Sequence, residues 1–451
     1  MRTHFITDHF LGNIKDISDL SLSGRAKLMA RKCLLDYFGV SVAGSTMLKD
    51  KETAFLGSQQ IIGGCGVIGA GTKAPVNIAA LLNGISAHVI ELDDGHRIGM
   101  LHLGAPVISA ILAVAEKEQL STNDFLKGIV IGYEVAIRLA CAVQPGCKLK
   151  GYHATGTCGT IGAAMGIAEA LHFDDEQVKC AFSAATTSAA GLLEMIEGDT
   201  ELKPYNAGRA AMDGVTAAYI GKARFKTPED ALGGERGFLK VMTDEPKMEF
   251  LTDFSGGKLM IEGIYMKPYA ACRHCHPSIE VALNIRQQNG FDINEVESIH
   301  VDTYKLAVAG HDHTEIKGVN SAKMSIPYSL AVALYTGKGG LEEFTEEYFN
   351  NSLIQTITNK VSVSDKEELT ALCPQKRGAI VTVKTKSCEF VKRVDYPKGE
   401  PENPITDDEL KEKFIQLGIY SGLTYEECQE VIQETFNDEI DFQRIFRILC
   451  K

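Results

Sequence analysis

Titratable side chains are concentrated in one short stretch of the sequence. Three carboxylates, three histidines and one arginine fall within the 15 residues from His88 to His102. Apolar, small-residue sequence of helical character flanks this stretch on both sides. Burying a charged group costs several kcal/mol unless it is paired, so a purely structural segment with such flanks should be less polar. The stretch is either a solvated, charged loop or a site, and we favour the site because titratable clusters concentrate at functional positions.

A second group of chemically competent residues occupies positions 266–277, Met-Lys-Pro-Tyr-Ala-Ala-Cys-Arg-His-Cys-His-Pro. Cys272 to His276 satisfies the C-x-x-C-H pattern of covalent haem attachment, but that modification implies export and the N-terminus shows no export signal. Cys272 and Cys275 with a histidine are zinc-type ligands, yet no second Cys/His pair follows at finger-like spacing. A Cys/His-rich turn with ordinary packing is the structural alternative. The interpretation we favour is a site in which Lys267, Arg273 and a histidine hold carboxylates and move protons.

Cations also occur where a helix is predicted to begin. Lys203 and Arg209 follow Asp-Thr-Glu-Leu at 199–202, and positive charge there can bind an anion together with the N-terminal amides of the helix. His153 precedes a segment from Gly156 to Gly166 in which small residues recur every three or four positions. Such a stripe lets two helices pack closely. A phosphate-binding loop is the alternative, but no Walker lysine–serine pair follows the segment and no strand precedes it.

Apolar periodicity predicts the elements that must position these residues. In the first part of the chain, helices are expected at 25–44, 75–90, 104–118, 122–145 and 176–196. Beyond about residue 264 the patterns change, and they predict strands at 297–304 and 379–394 and helices at 276–289 and 324–336. A proline-rich connector at 396–404 precedes helices at 407–450. We therefore predict a mostly α protein, with a large all-helical domain formed by residues 1–265 and 399–451 and a smaller α+β lid domain at 266–398.

Composition narrows the class of partner. The 451 residues carry a net charge of −13 without a long basic run, which makes nucleic acid and anionic membranes poor partners. No stretch of about 18 uninterrupted apolar residues predicts a membrane span. The twelve cysteines are scattered, mostly in apolar helical sequence, and we expect them to be reduced thiols in the cytoplasm. A small anionic substrate is compatible with this composition, because local positive residues decide its binding.

Several short patterns in a fixed order give the chain a resemblance to a known family. These are the acidic-histidine segment, Gly151-Tyr-His153 with its small-residue helix, Lys203-Pro, Lys267-Pro-Tyr and Ser325-Ile-Pro-Tyr328-Ser. Each pattern is weak alone, but their order and spacing are specific. Over nearly its full length the chain resembles the MmgE/PrpD family, which includes 2-methylcitrate dehydratase, cis-aconitate decarboxylase and iminodisuccinate epimerase.

The resemblance implies a set of site residues drawn from both predicted domains. It places Glu91, Asp93 and Asp94 in the family's acidic segment, and it assigns further site positions to His102, His153, Lys203, Lys267 and Tyr328. Two departures from the decarboxylase branch stand out. Gly95 replaces the threonine that follows the acidic pair, and Cys272 replaces a histidine five residues after the second lysine. The resemblance also implies a homodimer formed through the helical domain.

The chemistry that the resemblance implies is proton transfer at a carbon next to a carboxylate. A general base removes that proton, and His153 or His102 could titrate near neutrality. A second group, Tyr328 or another histidine, returns a proton or protonates a departing hydroxyl. The predicted catalytic residues are therefore His153, His102, Lys267, Tyr328 and Asp93. The predicted binding residues for a small polycarboxylate are Glu91, Asp94, Arg97, Lys203, Arg209, Arg273 and His276. No metal or organic cofactor is required, although each of these residues also has an ordinary structural interpretation.

Within the family we predict a hydro-lyase of the 2-methylcitrate dehydratase type. Epimerisation of the iminodisuccinate type is the first alternative, because of Gly95-His96-Arg97 and the Cys272–His276 stretch. Decarboxylation of the cis-aconitate type is the second alternative. A zinc- or redox-responsive binding protein that uses Cys272 and Cys275 is the alternative outside enzymes.

Overall fold

The computed structural model describes residues 5–20, 22–59, 61, 63–196, 200–254, 257–288 and 290–451. The chain divides into two compact units. The helical unit comprises Met1–Met195, Leu202–Ile264 and Thr406–Lys451, and the mixed unit comprises Ile196–Glu201 and Tyr265–Ile405. Residues 399–405 belong to the mixed unit, where the Gly399 carbonyl accepts a hydrogen bond from the Met266 amide at 3.0 Å and Glu400 forms an ion pair with Arg273.

The helical unit is built almost wholly of α-helices. They are α1 (Ile6–Asp19), α2 (Gly24–Gln59), α3 (Val76–Val89), α4 (Ser109–Glu118), α5 (Thr122–Val143), α6 (Gly146–Leu149), α7 (Ala154–Ala170), α8 (Asp175–Ser188), α9 (Lys203–Lys222), α10 (Phe238–Met242), α11 (Glu249–Thr252), α19 (Asp407–Tyr420), α20 (Tyr425–Phe436) and α21 (Phe442–Leu449). A short antiparallel hairpin of β1 (Cys65–Val67) and β2 (Thr72–Ala74) joins α2 to α3. The prediction of a mostly α protein is confirmed.

Side-chain caps explain where several of these helices begin. The Ser121 hydroxyl accepts a hydrogen bond from the Asp124 amide and starts α5. A capping box of Asp174 and Gln177 starts α8. The same reciprocal device, with a threonine and a glutamate, starts α19 and α20. Each cap satisfies amide groups that the first helical turn leaves without a partner.

The small-residue stripe of α7 packs against α5. A Cβ atom added at Gly162 would lie 2.5 Å from the Gly132 carbonyl oxygen, and one added at Gly166 would lie 2.6 Å from that of Gly128. Such distances are below any ordinary contact, so the two backbones touch only because these residues are glycine. The predicted close packing of helices is confirmed, and no phosphate-binding loop forms there.

Three of the predicted helices have different limits in the structure. The helix predicted at 25–44 continues to Gln59, because Gly44 is a packing residue and not a stop: its Cβ would lie 1.8 Å from the Ser86 carbonyl oxygen of α3. The helix predicted at 104–118 begins as a π-helical turn, Gly104–Ile108, before α4. The helix predicted at 176–196 ends at Ser188. No helix of the described residues is both long and apolar enough to cross a membrane.

The mixed unit contains one four-stranded sheet with helices. Its strands are β3 (Val296–Thr303), β4 (Val361–Asp365), β5 (Ala379–Thr385) and β6 (Glu389–Val394), in the spatial order β4-β3-β5-β6. β3 and β4 are parallel, and the other neighbours are antiparallel. The run predicted as a strand at 379–394 is thus a hairpin of two strands. The helices are α12 (His276–Arg286), α13 (Lys305–Val308), α14 (Val319–Met324), α15 (Ile326–Thr336), α16 (Glu346–Phe349), α17 (Ser352–Thr358) and α18 (Glu367–Leu372).

Candidate active site

The acidic-histidine segment forms a buried cluster at the C-terminal end of α3. His88 lies in the last turn of this helix, and its Nδ1 is 2.8 Å from Oδ2 of Asp93. His102 Nδ1 is 3.1 Å from the same carboxylate oxygen and 2.8 Å from the Asp94 carbonyl oxygen. The centroids of the two imidazole rings are 4.6 Å apart. One carboxylate therefore holds two histidines.

The acceptors around these rings define where their protons lie. A carbonyl oxygen and a carboxylate can only accept, so Nδ1 of His102 carries a proton. Burial alone would raise the pKa of Asp93, but the charges and hydrogen bonds of His102 and His88 outweigh burial and hold the pKa well below its usual range. Asp93 is thus an ionised carboxylate. It stabilises the imidazolium that forms when Nε2 of a paired histidine accepts a proton.

His88 and His102 differ in exposure. The His88 side chain is fully buried, and its Nε2 has no hydrogen-bond partner among the described residues. The His102 side chain is 12% exposed. Of the two, His102 is therefore the histidine that a substrate can reach. Imidazole nitrogens of His88 and His102 and a carboxylate oxygen of Asp93 lie within 4.8 Å of one another, as the ligands of a metal ion also do. The hydrogen bonds of both histidines to Asp93 account for this short spacing.

His153 sits at the N-cap of α7, with its ring centroid 6.1 Å from that of His88. Its Nδ1 is 3.4 Å from Nδ2 of Asn206, and the same Nδ2 is 3.2 Å from the Leu192 carbonyl oxygen. The carbonyl orients the amide, because only the NH₂ group can donate to it. Nδ1 of His153 is consequently an acceptor, and the proton of the neutral ring lies on Nε2.

The surroundings also keep His153 neutral. Burial lowers its pKa well below the ordinary value for histidine, and the positive charge of Lys203 lowers it further. His153 therefore presents a neutral N–H group, whereas His102 carries its proton on the opposite ring nitrogen. The imidazoles of His153 and His102 are held in opposite tautomers, the first by Asn206 and the second by Asp93.

Lys203 and Glu91 form an ion pair beside this cluster. Lys203 is the first residue of α9, a helix of 20 residues, and its ammonium group contacts the Glu91 carboxylate. Glu91 has a φ of 57°, which places it in the left-handed region, where a non-glycine residue costs about 1 kcal/mol or more. The backbone thus accepts strain at the residue that pairs with Lys203. The lysine and the N-terminal amides of a long helix are together suited to an anion.

Asp94 makes its contacts with the protein framework. Its carboxylate accepts a hydrogen bond from the Tyr133 hydroxyl at 2.6 Å and another from the Gly104 amide at 2.8 Å. Burial raises the pKa of Asp94 to about 7. These contacts tie the acidic segment to α5 and to the π-helical turn.

The two predicted arginines of the helical unit differ in position. Arg97 is half-buried in the acidic segment. Arg209 lies six residues beyond Lys203 on α9, about 9 Å along the axis and on a different face. Its guanidinium forms an ion pair with Asp213 at 2.5 Å and donates to the carbonyl oxygens of Ser188 and Ala190. Arg209 therefore fastens the end of α8 to α9.

Four predicted site residues belong to the mixed unit. Lys267 is buried. The buried guanidinium of Arg273 pairs with Glu400 and lies 5.1 Å from the centroid of the Tyr265 ring. These contacts hold the Cys272–His276 stretch in place within this unit.

The other two mixed-unit residues bond to backbone carbonyls. His276 is the first residue of α12, and its Nε2 is 3.1 Å from the Ala271 carbonyl oxygen. The buried hydroxyl of Tyr328 donates to the Glu343 carbonyl oxygen at 2.6 Å, and burial raises its pKa well above the ordinary value. The protonated phenol is the form that this contact requires.

Two residues without a predicted role belong to the cluster. His88 is the first residue of the titratable stretch, but no pattern in the sequence assigns it a function of its own. Asn206 had no sequence signal except its position one turn after Lys203 on the same helix. The predicted residues that the structure gathers in the helical unit are Asp93, His102 and His153, with Lys203 and Glu91 beside them.

Comparisons with known proteins match both parts of the chain. The model of the MmgE/PrpD N-terminal domain matches residues 14–251, and that of the MmgE/PrpD C-terminal domain matches residues 269–438. A cis-aconitate decarboxylase-like protein of Aspergillus oryzae is 28% identical over 86% of this chain and 85% of its own length. Cis-aconitate decarboxylase of Aspergillus terreus is 28% identical over 68% of this chain and 67% of its own length. The human cis-aconitate decarboxylase is 22% identical over 91% of this chain and 87% of its own length.

Proposed function

The chain belongs to the MmgE/PrpD family, and on that premise we propose that it is a lyase that removes a proton next to a carboxylate of a small di- or tricarboxylate. The observation that carries the proposal is that two histidines are held in opposite tautomers. His102 donates from Nδ1 to Asp93, whereas His153 accepts at Nδ1 from Asn206. Proton abstraction of this kind needs a base at the carbon and a hydrogen-bond donor at the carboxylate that becomes an enediolate. The cluster offers one imidazole in each state.

His102 is the base in this proposal. Its Nδ1–H donates to the Asp93 carboxylate and to the Asp94 carbonyl, so Nε2 is the ring nitrogen that takes the substrate proton. Asp93 stabilises the resulting imidazolium. His88 helps to hold Asp93 in place, and its complete burial keeps it away from the substrate.

His153 is the electrophilic partner and not the base. A neutral imidazole that donates from Nε2 matches an enediolate oxygen without gaining a charge of its own. Lys203 supplies the positive charge that a substrate carboxylate needs, and Glu91 balances this charge when no anion is bound. From the sequence either His153 or His102 could be the base, and the hydrogen bonds favour His102.

Of the finer activities, we propose dehydration of the 2-methylcitrate type. The enediolate expels a hydroxyl from the neighbouring carbon, and the imidazolium of His102 returns the abstracted proton to that hydroxyl, which leaves as water. One histidine that first accepts and then donates is enough for this sequence of steps. Epimerisation needs an acid on the opposite face of the carbon to return the proton, and the neutral imidazole of His153 is too weak an acid for that step.

Decarboxylation is the second candidate, and the names of the relatives support it. In that reaction the carbon–carbon bond to a carboxylate breaks, and the electron pair left on the substrate takes up a proton. An imidazolium at His102 would supply that proton, with Lys203 and His153 holding the remaining carboxylates. The two candidates use the same residues and differ in the bond that breaks.

Incubation in deuterated water with a panel of di- and tricarboxylates tests the proposal. Loss of water with formation of a double bond is the expected outcome, and release of carbon dioxide would select the second candidate. Exchange with inversion of configuration would identify an epimerase and refute both lyase candidates. No exchange and no turnover with any member of the panel would refute the proposal as a whole.

Variants locate the chemistry within the cluster. His102→Gln should abolish turnover and deuterium exchange together, because glutamine cannot accept the proton. His172→Gln is the matched control, since the His172 side chain is 67% exposed and is 3.3 Å from Asp124 on the surface. Unchanged exchange in His102→Gln, with the fold intact by circular dichroism, would reject His102 as the base.

A further inference from the structure

A second cluster of metal-type ligands lies in the mixed unit. Ligand atoms of Cys272, His274 and His311 all lie within 4.8 Å of one another, and the ring centroids of the two histidines are 4.8 Å apart. His274 is buried, whereas Cys272 and His311 are half-buried. We propose that these three residues bind a zinc-class divalent cation through one thiolate and two imidazoles. The proposal is independent of the lyase activity proposed for the helical unit.

The hydrogen bonds around the histidines orient their rings for this role. Nδ1 of His311 is 2.9 Å from the Ala309 carbonyl oxygen, so it carries the proton and the lone pair of the neutral ring is on Nε2. Nδ1 of His274 is 2.6 Å from the Tyr304 hydroxyl. Metal-bound histidines are characteristically held by such a bond from the other ring nitrogen. When the Tyr304 hydroxyl accepts this bond, the lone pair of the neutral His274 ring is on Nε2.

The backbone around the ligands is also fixed. The Cys272 amide donates to the Lys323 carbonyl oxygen at 2.8 Å, and the Cys275 amide closes a turn onto the Cys272 carbonyl at 2.8 Å. The His311 carbonyl accepts a hydrogen bond from the Ile326 amide at 2.8 Å. Both ligand segments are therefore tied to residues 323–326. A site whose ligands are already held loses little entropy when an ion binds.

The ligand set selects the kind of ion. A thiolate with imidazoles suits Zn²⁺, whereas Mg²⁺ and Ca²⁺ prefer oxygen ligands. Zinc–ligand bonds of about 2.0–2.3 Å give tetrahedral edges of roughly 3.3–3.6 Å. Side-chain rotation must therefore bring the ligand atoms closer by up to roughly 1.5 Å. With three protein ligands the fourth position goes to water, as in open zinc sites.

This site differs from the zinc pattern that the sequence shows. The C-x-x-C spacing points to Cys272 and Cys275 as the pair. In the structure the Cys275 thiol is fully buried and 3.9 Å from the Lys323 carbonyl oxygen, and it is not part of the cluster. His311 lies in another segment of the chain, after α13, and takes the place of the second cysteine. Only the fold reveals this ligand, because its distance in sequence matches no zinc motif.

Cobalt substitution tests the site directly. Full-length protein, stripped of metal with a chelator under reducing conditions, is titrated with Co²⁺, and the absorption spectrum is recorded. One equivalent of Co²⁺ should produce a thiolate-to-cobalt charge-transfer band together with tetrahedral visible bands, and Zn²⁺ should bleach both. The thiolate band identifies this site, because the His88–Asp93–His102 cluster contains no cysteine.

Matched variants decide which residues bind. Cys272→Ser should remove the charge-transfer band and weaken Zn²⁺ binding at least tenfold in a competition assay with a chromophoric chelator. His311→Asn should weaken binding to a similar degree. The controls are Cys388→Ser, at an exposed cysteine, and His300→Asn, at an exposed histidine of β3, and both should bind as wild type does. Absence of a thiolate band in the wild type, or its persistence in folded Cys272→Ser, would overturn the proposal.

Discussion

Replacement of Asn206 by aspartate should reverse the tautomer of His153 and so remove a catalytic hydrogen-bond donor. The Asn206 amide now donates to Nδ1 of His153 at 3.4 Å and to the Leu192 carbonyl at 3.2 Å. A carboxylate can only accept, so in Asn206→Asp the imidazole must carry its proton on Nδ1. Nε2 then presents a lone pair to the substrate instead of an N–H group.

The size of the effect follows from the role of that group. Removing one preorganised donor to a developing oxyanion lowers kcat by roughly 10²–10³-fold, or about 3–4 kcal/mol of transition-state stabilisation. The new carboxylate also faces the Leu192 carbonyl, and this buried clash should destabilise the fold by about 1–3 kcal/mol. Burial and Lys203 lower the pKa of His153, and a carboxylate beside the ring would raise it. The activity–pH profile should therefore shift as well.

The assay compares kcat and KM on the substrate that the deuterium-exchange panel identifies. Asn123→Asp is the matched control, because Asn123 is exposed in the first turn of α5 and undergoes the same chemical change. It should keep wild-type kcat. A folded Asn206→Asp variant whose kcat is within about twofold of wild type would refute the assignment of His153 as a donor, because a lost oxyanion donor costs far more than that.

Three further predictions concern stability, measured by chemical denaturation. Glu91 has a φ of 57°, so Glu91→Gly should be more stable than Glu91→Ala by about 1 kcal/mol, because both variants lose the carboxylate and only the alanine variant keeps the backbone strain. Equal stability of the two variants would disprove the strain. The pKa of Asp94 is raised from 3.8 to about 7, so the folded state favours the protonated acid, and stability is lost as pH rises between these values. Asp94→Asn should not show this loss, so its free energy of unfolding relative to wild type should rise by up to about 4 kcal/mol between pH 4 and pH 8. Parallel stability–pH profiles of the two proteins would argue against a raised pKa of Asp94. Gly44→Ala should destabilise by about 3 kcal/mol or more, because its Cβ would lie 1.8 Å from the Ser86 carbonyl oxygen, whereas Gly12→Ala, with nothing within 4 Å, should be neutral or stabilising.

Local signals predicted the fold well where they coincide with packing. Helices α3 and α5 both lie within two residues of the predicted limits, and in the structure Pro75 and Ser121 stand at their N-caps. The predicted end of α2 at Gly44 is wrong, because glycine not only ends helices but also permits the close approach of another backbone. The β1–β2 hairpin has strands of three residues, too short for an alternating pattern to register.

The candidate site was predictable as a set of residues but not as an arrangement. Titratable residues crowded between His88 and His102 identify a site from local sequence alone. Their protonation states depend on groups brought from elsewhere in the fold, above all Asn206 and the Leu192 carbonyl at His153. The assignment of base and donor therefore needed the tertiary structure, because the two histidines look equivalent in sequence.

The proposed chemistry depends on the opposite tautomers of His102 and His153. ¹⁵N NMR of protein with labelled histidine, assigned with His102→Gln and His153→Gln, reads the proton position on each ring nitrogen at neutral pH. We expect His153 to be neutral with its proton on Nε2 and His102 to be protonated at Nδ1. A neutral His153 that carries its proton on Nδ1, or a fully protonated His153, would refute the proposed roles of the two histidines.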